Sequence, residues 1–140
     1  MKINLIKETK VRIPVTQIKK MFEIISEEET EPGSKSTVNL IFSTAGTIKK
    51  LNSKYRQKDK VTDVLTFNID EISEEDGIFG EIYISVSTAK DQAASYGASL
   101  SEEILRLFCH GMLHLFGYDH MNKKEEKTMK EKEELFLAGI

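Results

Sequence analysis

The segment SEEILRLFCHGMLHLFGYDH, residues 101–120, reads as one long helix followed by a sharp turn. Ser101 offers a polar cap, and Glu102 and Glu103 put acids in the first turn. Ile104, Leu105, Leu107 and Phe108 then supply an apolar face to lay on a sheet. Gly117 stands where a left-handed residue reverses the chain. The chain has three histidines, His110, His114 and His120, and all of them fall inside this span. On a helix, His110 and His114 project from one face, one turn apart. The turn at Gly117 would bring His120 back toward them.

The sheet that such a helix needs is written upstream. FGEIYISV (79–86) is dominated by β-branched and aromatic residues and is expected at the centre of the sheet. STVNLIFS (36–43) puts Val38, Leu40 and Phe42 on one face, DVLTFNI (63–69) is another strand, and KINLIKE (2–8) alternates weakly as a first one. Between them, Pro14 stands at the start of a helix carrying Val15, Ile18, Met21, Phe22 and Ile25. Thr44 caps a second helix that runs through Ile48 and Leu51 toward Tyr55. EEETEPGSKS and EISEEDG read as loops. Ser87 or Thr88 is expected to cap a short helix that ends near Gly97. A charge-laced last helix, roughly 122–138, pairs Glu126 with Lys130 and Lys127 with Glu131 at i,i+4. The order β, α, β, α, β, β, then helices, means an α+β fold. Residues 1–140 are expected to form a single domain, a mixed sheet of about four strands flanked by helices, with a metal-binding helix and a C-terminal helix.

The bulk numbers agree. A chain of 140 residues suits one core, and with 39% hydrophobic and 31% charged residues it reads as a globular protein. No apolar run approaches the ~20 residues that span a bilayer, and MKINLIKETK has no signal-peptide core. The single cysteine, Cys109, cannot form an internal disulfide. These features point to a cytoplasmic protein without a membrane partner. A net charge of −3 argues against coating nucleic acid by bulk electrostatics, so any such contact has to come from a local patch.

The histidine spacing, H-x3-H-x5-H, suits a divalent ion. Three neutral nitrogens leave zinc its full charge and an open fourth position, where bound water has a pKa of about 7. Zinc is the expected ion, one per chain, with another divalent transition metal such as nickel as the alternative. Cys109 lies about 100° round the helix from His110. It is therefore expected to be a small buried hydrophobe rather than a fourth ligand. The pattern is similar to HExxHxxGxxH peptidases but has Gly111 where those enzymes carry their general base, so a peptidase lacks its proton acceptor. Gly111 suggests close packing of the helix on the sheet, or a gap for a bulky substrate. Asp119 is a candidate to accept a hydrogen bond from the ring of a metal-binding histidine, although capping of the turn is the favoured role.

KKLNSKYRQKDK (49–60) gathers Lys49, Lys50, Lys54, Arg56, Lys58 and Lys60 against one acid, Asp59. The functional reading of these six is a phosphate-binding patch, and the alternative is a solvated helix face and loop. Arg56 is singled out because a guanidinium can grip phosphate oxygens bidentately. Tyr55 is expected in the core, with base stacking as its functional alternative.

Two long segments together resemble one family. LNSKYRQKDKVTDVLTF (51–67) and HGMLHLFGYDH (110–120) are similar to the paired signatures of the YbeY family of bacterial rRNA maturation factors, with GEIYIS (80–85) between them. The family often has proline before the TDV triplet, where this chain has Val61. The resemblance implies a metal-dependent, single-strand-specific endoribonuclease acting in 16S rRNA 3′-end maturation and small-subunit quality control. It implies His110, His114 and His120 as metal ligands, and Arg56 and His110 as catalytic residues. It also implies the 16S precursor, the small ribosomal subunit and its assembly factors as partners; no DNA is expected. The alternatives are a protease-like or other small-substrate hydrolase, or a ribosome-assembly binding protein with a structural metal.

Overall fold

The computed structural model describes residues 1–30, 36–58, 61–68, 78–119 and 122–140. Residues 31–35 and 71–77, both read as loops from the sequence, lie outside the described residues, as do Lys60 and His120. The expected order of elements is observed: β1 (Lys2–Lys7), α1 (Val15–Glu29), β2 (Thr37–Ser43), α2 (Ala45–Arg56), β3 (Val64–Asn68), β4 (Ile78–Ser85), α3 (Val86–Tyr96), α4 (Leu100–Leu115) and α5 (Lys123–Ala138).

The strands form one sheet in the order β1-β2-β4-β3. β1 and β4 both run parallel to β2, whereas β3 runs antiparallel to β4, so the sheet is mixed. β4 is interior, as its composition required. The register aligns Leu5, Leu40, Ile82 and Thr66 in one row across the four strands. Val38, Leu40, Phe42, Ile82 and Ile84 are fully buried on the face covered by α1, α4 and α5. Each such side chain contributes about 1.5–3 kcal/mol by leaving water. α2 covers part of the other face, where Ile48 meets Leu65 and Phe67.

The structure differs from the sequence reading at several points, and one is the end of α1, which runs through Glu27–Glu29 where the sequence reads as loop. α3 follows β4 without an intervening loop; Ser85 is its cap, and Ser85 Oγ and Thr88 Oγ1 hydrogen-bond at 2.8 Å. α4 is capped by Ser99 rather than Ser101. Ser99 Oγ accepts from Glu102 N at 3.1 Å and Glu102 Oε1 accepts from Ser99 N at 3.0 Å, a complete capping box. In α1, Ile18, Met21, Phe22 and Ile25 are buried, but Val15 is 40% exposed because it opens the helix at the rim of the core.

Two glycines let α4 approach the sheet. A Cβ at Gly111 would lie 2.8 Å from Ile82 Cγ2, and one at Gly80 would lie 2.7 Å from Leu115 Cδ2 and 2.8 Å from Phe67 O. Gly111 is therefore a packing residue. The alternative reading, a gap for substrate, is overturned because the position is buried against β4. Among the described residues no helix is long and apolar enough to cross a membrane.

Candidate metal centre

α4 carries its apolar face into the core and leaves His110 and His114 half-buried at its C-terminal end. Their rings meet edge to face, with centroids 4.6 Å apart and planes at 79°. His110 Nε2 and His114 Nε2 are 3.0 Å apart. Two nitrogens on one tetrahedral ion, each at about 2.05 Å, stand about 3.3 Å apart. The observed pair thus fits two neighbouring ligands of a zinc-like ion, and imidazole suits such an ion chemically. The third expected ligand, His120, lies outside the described residues. Among the described residues no three His, Cys, Asp or Glu side chains form a metal-binding group.

The turn leading toward His120 is described up to Asp119. Gly117 N donates to His114 O at 3.0 Å and Tyr118 N donates to Leu113 O at 3.0 Å, with Gly117 at φ +94°. That is a Schellman end, which reverses the chain as the glycine predicted. Tyr118 is held in turn by donating from its hydroxyl to Glu29 Oε1 on α1 at 2.9 Å. Burial, and then this carboxylate, push the Tyr118 phenol pKa up. Asp119 is half-buried and lines a separate cavity with Gly117, Asn122 and Thr128, among others.

A sequence reading limited to α4 misses Glu133. This residue of α5 puts its Oε1 2.5 Å from His110 Nδ1. No local signal marks it, since α5 carries acids along its whole length and the partner is 23 positions away.

Arg56 ends α2, where Gln57 adopts a left-handed conformation at φ 57° and turns the chain toward β3. Its Nη2 donates to Thr66 O at 2.7 Å, and its guanidinium lies 5.0 Å over the Phe67 ring. Arg56, Thr62, Asp63, Val64, Leu65, Thr66, His110 and His114 line one cavity of about 320 Å³. The predicted cation and two of the predicted ligands are thus brought together from distant parts of the chain. Asp63 is a second residue that the sequence reading left out. Its Oδ1 accepts from Val64 N at 2.8 Å and its Oδ2 from Gln92 Nε2 at 3.3 Å.

The described lysines of the basic stretch are not gathered around the cavity. Lys49, Lys50, Lys54 and Lys58 are exposed, and none is among the cavity's described lining residues. Lys60 lies outside the described residues. Tyr55 is not a core residue: it is 37% exposed and packs edge-on against Phe67 at 5.2 Å. Cys109 is fully buried, and burial, with Glu133 nearby, pushes its thiol from 9.0 up to about 12. It is a buried apolar residue, as expected.

A larger cavity of about 720 Å³ lies elsewhere, lined by Gln17, Tyr96, Glu103, Arg106 and Ile140, among others. Its buried carboxylate, Glu103, is bridged by Arg106 at 2.7 and 2.8 Å and so is satisfied internally. The chemistry-bearing residues therefore mark the smaller cavity.

The family model described as endoribonuclease YbeY matches residues 4–140, nearly the whole chain. The chain belongs to the YbeY family. Endoribonuclease YbeY of Carboxydothermus hydrogenoformans is 35% identical over 133 residues, covering 95% of this chain and 92% of that relative. Endoribonuclease YbeY of Desulforamulus reducens is 43% identical over 109 residues, covering 74% and 71%. A solution structure of a Thermotoga maritima protein matches with a TM-score of 0.65 and 32% identity, over 96% of this chain and 86% of that one. The YbeY assignment agrees with the α+β architecture and with the order of the two signature segments.

Proposed function

We propose that this chain is a zinc-dependent endoribonuclease specific for single-stranded RNA, acting on the 3′ end of the 16S rRNA precursor and in small-subunit quality control. Family membership supports the endoribonuclease reading. The observation that carries the site assignment is that Arg56, His110 and His114 line one cavity. The RNA precursor, the small ribosomal subunit and its assembly factors are the proposed partners, and a cytoplasmic site of action goes with them.

His110 and His114 hold the ion, with His120 as the proposed third ligand. When bound, the metal supplies Lewis acidity and lowers the pKa of a coordinated water. Nickel or another divalent transition metal could occupy the same imidazoles. Arg56 binds the scissile phosphate. A guanidinium presents five N–H donors in a fixed fork, so anchoring one of them on Thr66 O sets the plane of the whole group. Its charge then faces the phosphorus as negative charge develops. Lys49, Lys50, Lys54 and Lys58 steer the RNA backbone from outside the cavity, and Lys60 is proposed to share that role. A peptidase carboxylate has no room at position 111, which is packed on Ile82.

Elemental analysis of the purified protein, paired with cleavage of a structured RNA carrying a single-stranded tail, tests the reading. One metal ion per chain is expected, with cuts confined to the tail. His114→Ala should stay folded, bind RNA and lose both metal and cleavage. Cleavage that persists in metal-free His114→Ala protein would remove the histidines from the chemistry. Peptide hydrolysis without RNA cleavage would favour the small-substrate hydrolase, and RNA binding without cleavage the assembly module.

A further inference from the structure

We propose that Glu133 is a positioning residue of the metal centre: its carboxylate fixes the His110 ring so that Nε2 faces the ion, which makes α5 part of the site. The inference rests on the metal reading above and extends it to a residue on a different helix.

Proton accounting comes first. An ionised carboxylate only accepts hydrogen bonds. With Glu133 Oε1 2.5 Å from His110 Nδ1, the hydrogen belongs on Nδ1. In a neutral ring, Nε2 then carries a lone pair, and Nε2 is the atom 3.0 Å from His114 Nε2. The carboxylate thus selects the tautomer in which the cavity-side nitrogen is the ligand. Without it, a neutral imidazole partitions between two tautomers, and one of them puts a hydrogen where the metal belongs.

Burial strengthens the contact. The Glu133 side chain is 18% exposed and that of His110 is 26%, so water competes weakly for either group. The carboxylate is also delivered rigidly. Met129 and Phe136 lie four before and three after Glu133, on the same helix face, and both are buried in the core. Lys132 ties the same turn to α1 through Glu28 at 2.9 Å. A helix pinned on both sides of Glu133 holds the acceptor in place at little entropic cost.

The test uses the full-length chain with Glu133→Ala and Glu133→Gln. Zinc affinity is read by competition with a chromophoric chelator, the cobalt form by its visible absorption, and thermal stability with and without metal. Glu133→Ala should weaken metal binding about 10–100-fold and alter the cobalt spectrum. Glu133→Gln, whose amide oxygen can still accept from Nδ1, should restore most of the affinity. The metal-free melting temperature should change little, whereas the rise on adding zinc should shrink. Wild-type affinity and spectrum in Glu133→Ala would overturn the proposal. So would a metal-free Tm that falls in Glu133→Ala with zinc affinity unchanged, since that is a packing role. Wild-type protein that takes up neither zinc nor cobalt would overturn the metal reading beneath it, and that arm separates the two failures.

Discussion

Gly111 on α4 rests directly on Ile82 of β4: a Cβ at position 111 would stand 2.8 Å from Ile82 Cγ2. Helix and sheet meet there with no space for a methyl group. Gly111→Ala should therefore destabilise the fold by about 1–3 kcal/mol through overpacking. Ile82→Ala alone should cost about 2–5 kcal/mol through its cavity. Combined, the two should be less damaging than their sum, because the lost Cγ2 makes room for the new Cβ. Urea denaturation of the four proteins measures this coupling, and strict additivity would contradict the contact. Gly111→Glu should yield no peptidase.

Arg56 sits between a carbonyl, Thr66 O at 2.7 Å, and the Phe67 ring at 5.0 Å. A lysine cannot reproduce this arrangement, since a single ammonium lacks the planar fork that would hold both an anchor and a phosphate. Arg56→Lys should lower kcat/KM for RNA about 100-fold, with metal content and Tm close to wild type. Rates equal to wild type would remove Arg56 from phosphate binding.

The element order was legible because each segment keeps its own period. β2 alternates Val38, Leu40 and Phe42, and α1 repeats Ile18, Met21, Phe22 and Ile25. Boundaries were less legible where cues compete. ASLSEE contains two serines, and only Ser99 has a glutamate at the third position inward; Glu102 makes that serine the cap. At Ser85 the strand passes straight into α3, so no loop composition marks the change. In the site, His110 and His114 were legible from helical geometry because both lie on one element. Glu133 and Asp63 were not, because a contact between elements leaves no periodic trace. Tyr55 was misplaced because α2 covers only part of its sheet face, and its last turn is left half in solvent.

The capping box of α4 makes a pH prediction. Hydrogen bonds from the Ser99 backbone and side chain hold the Glu102 carboxyl below its ordinary 4.5. A carboxylate with a depressed pKa in the folded state adds stability above its unfolded value, and that stability is lost as pH falls through the folded value. Glu102→Gln keeps a capping side chain but loses the charge at the positive end of the helix. The variant should therefore be less stable than wild type at pH 7, with the gap closing as pH drops below 4.5. Urea midpoints across pH 3–7 would show this, and a gap independent of pH would contradict it.

Gly117 tests the turn that leads to His120. Its φ of +94° lies in the region that L side chains avoid, yet a Cβ there would meet nothing within 4 Å. Substitution costs should then come from the backbone alone. Gly117→Ala should destabilise by about 1–2 kcal/mol. Gly117→Asn, with a side chain that tolerates left-handed conformations, should cost less. Because Gly117 N and Tyr118 N close the helix on His114 O and Leu113 O, relaxing that strain would loosen the chain just before His120. Zinc affinity should therefore fall in the order wild type, Asn, Ala, parallel to the stability series. If Ala proves as stable as Asn, the left-handed turn is not what limits this position; if stability falls but zinc affinity holds, His120 is placed by something other than the turn.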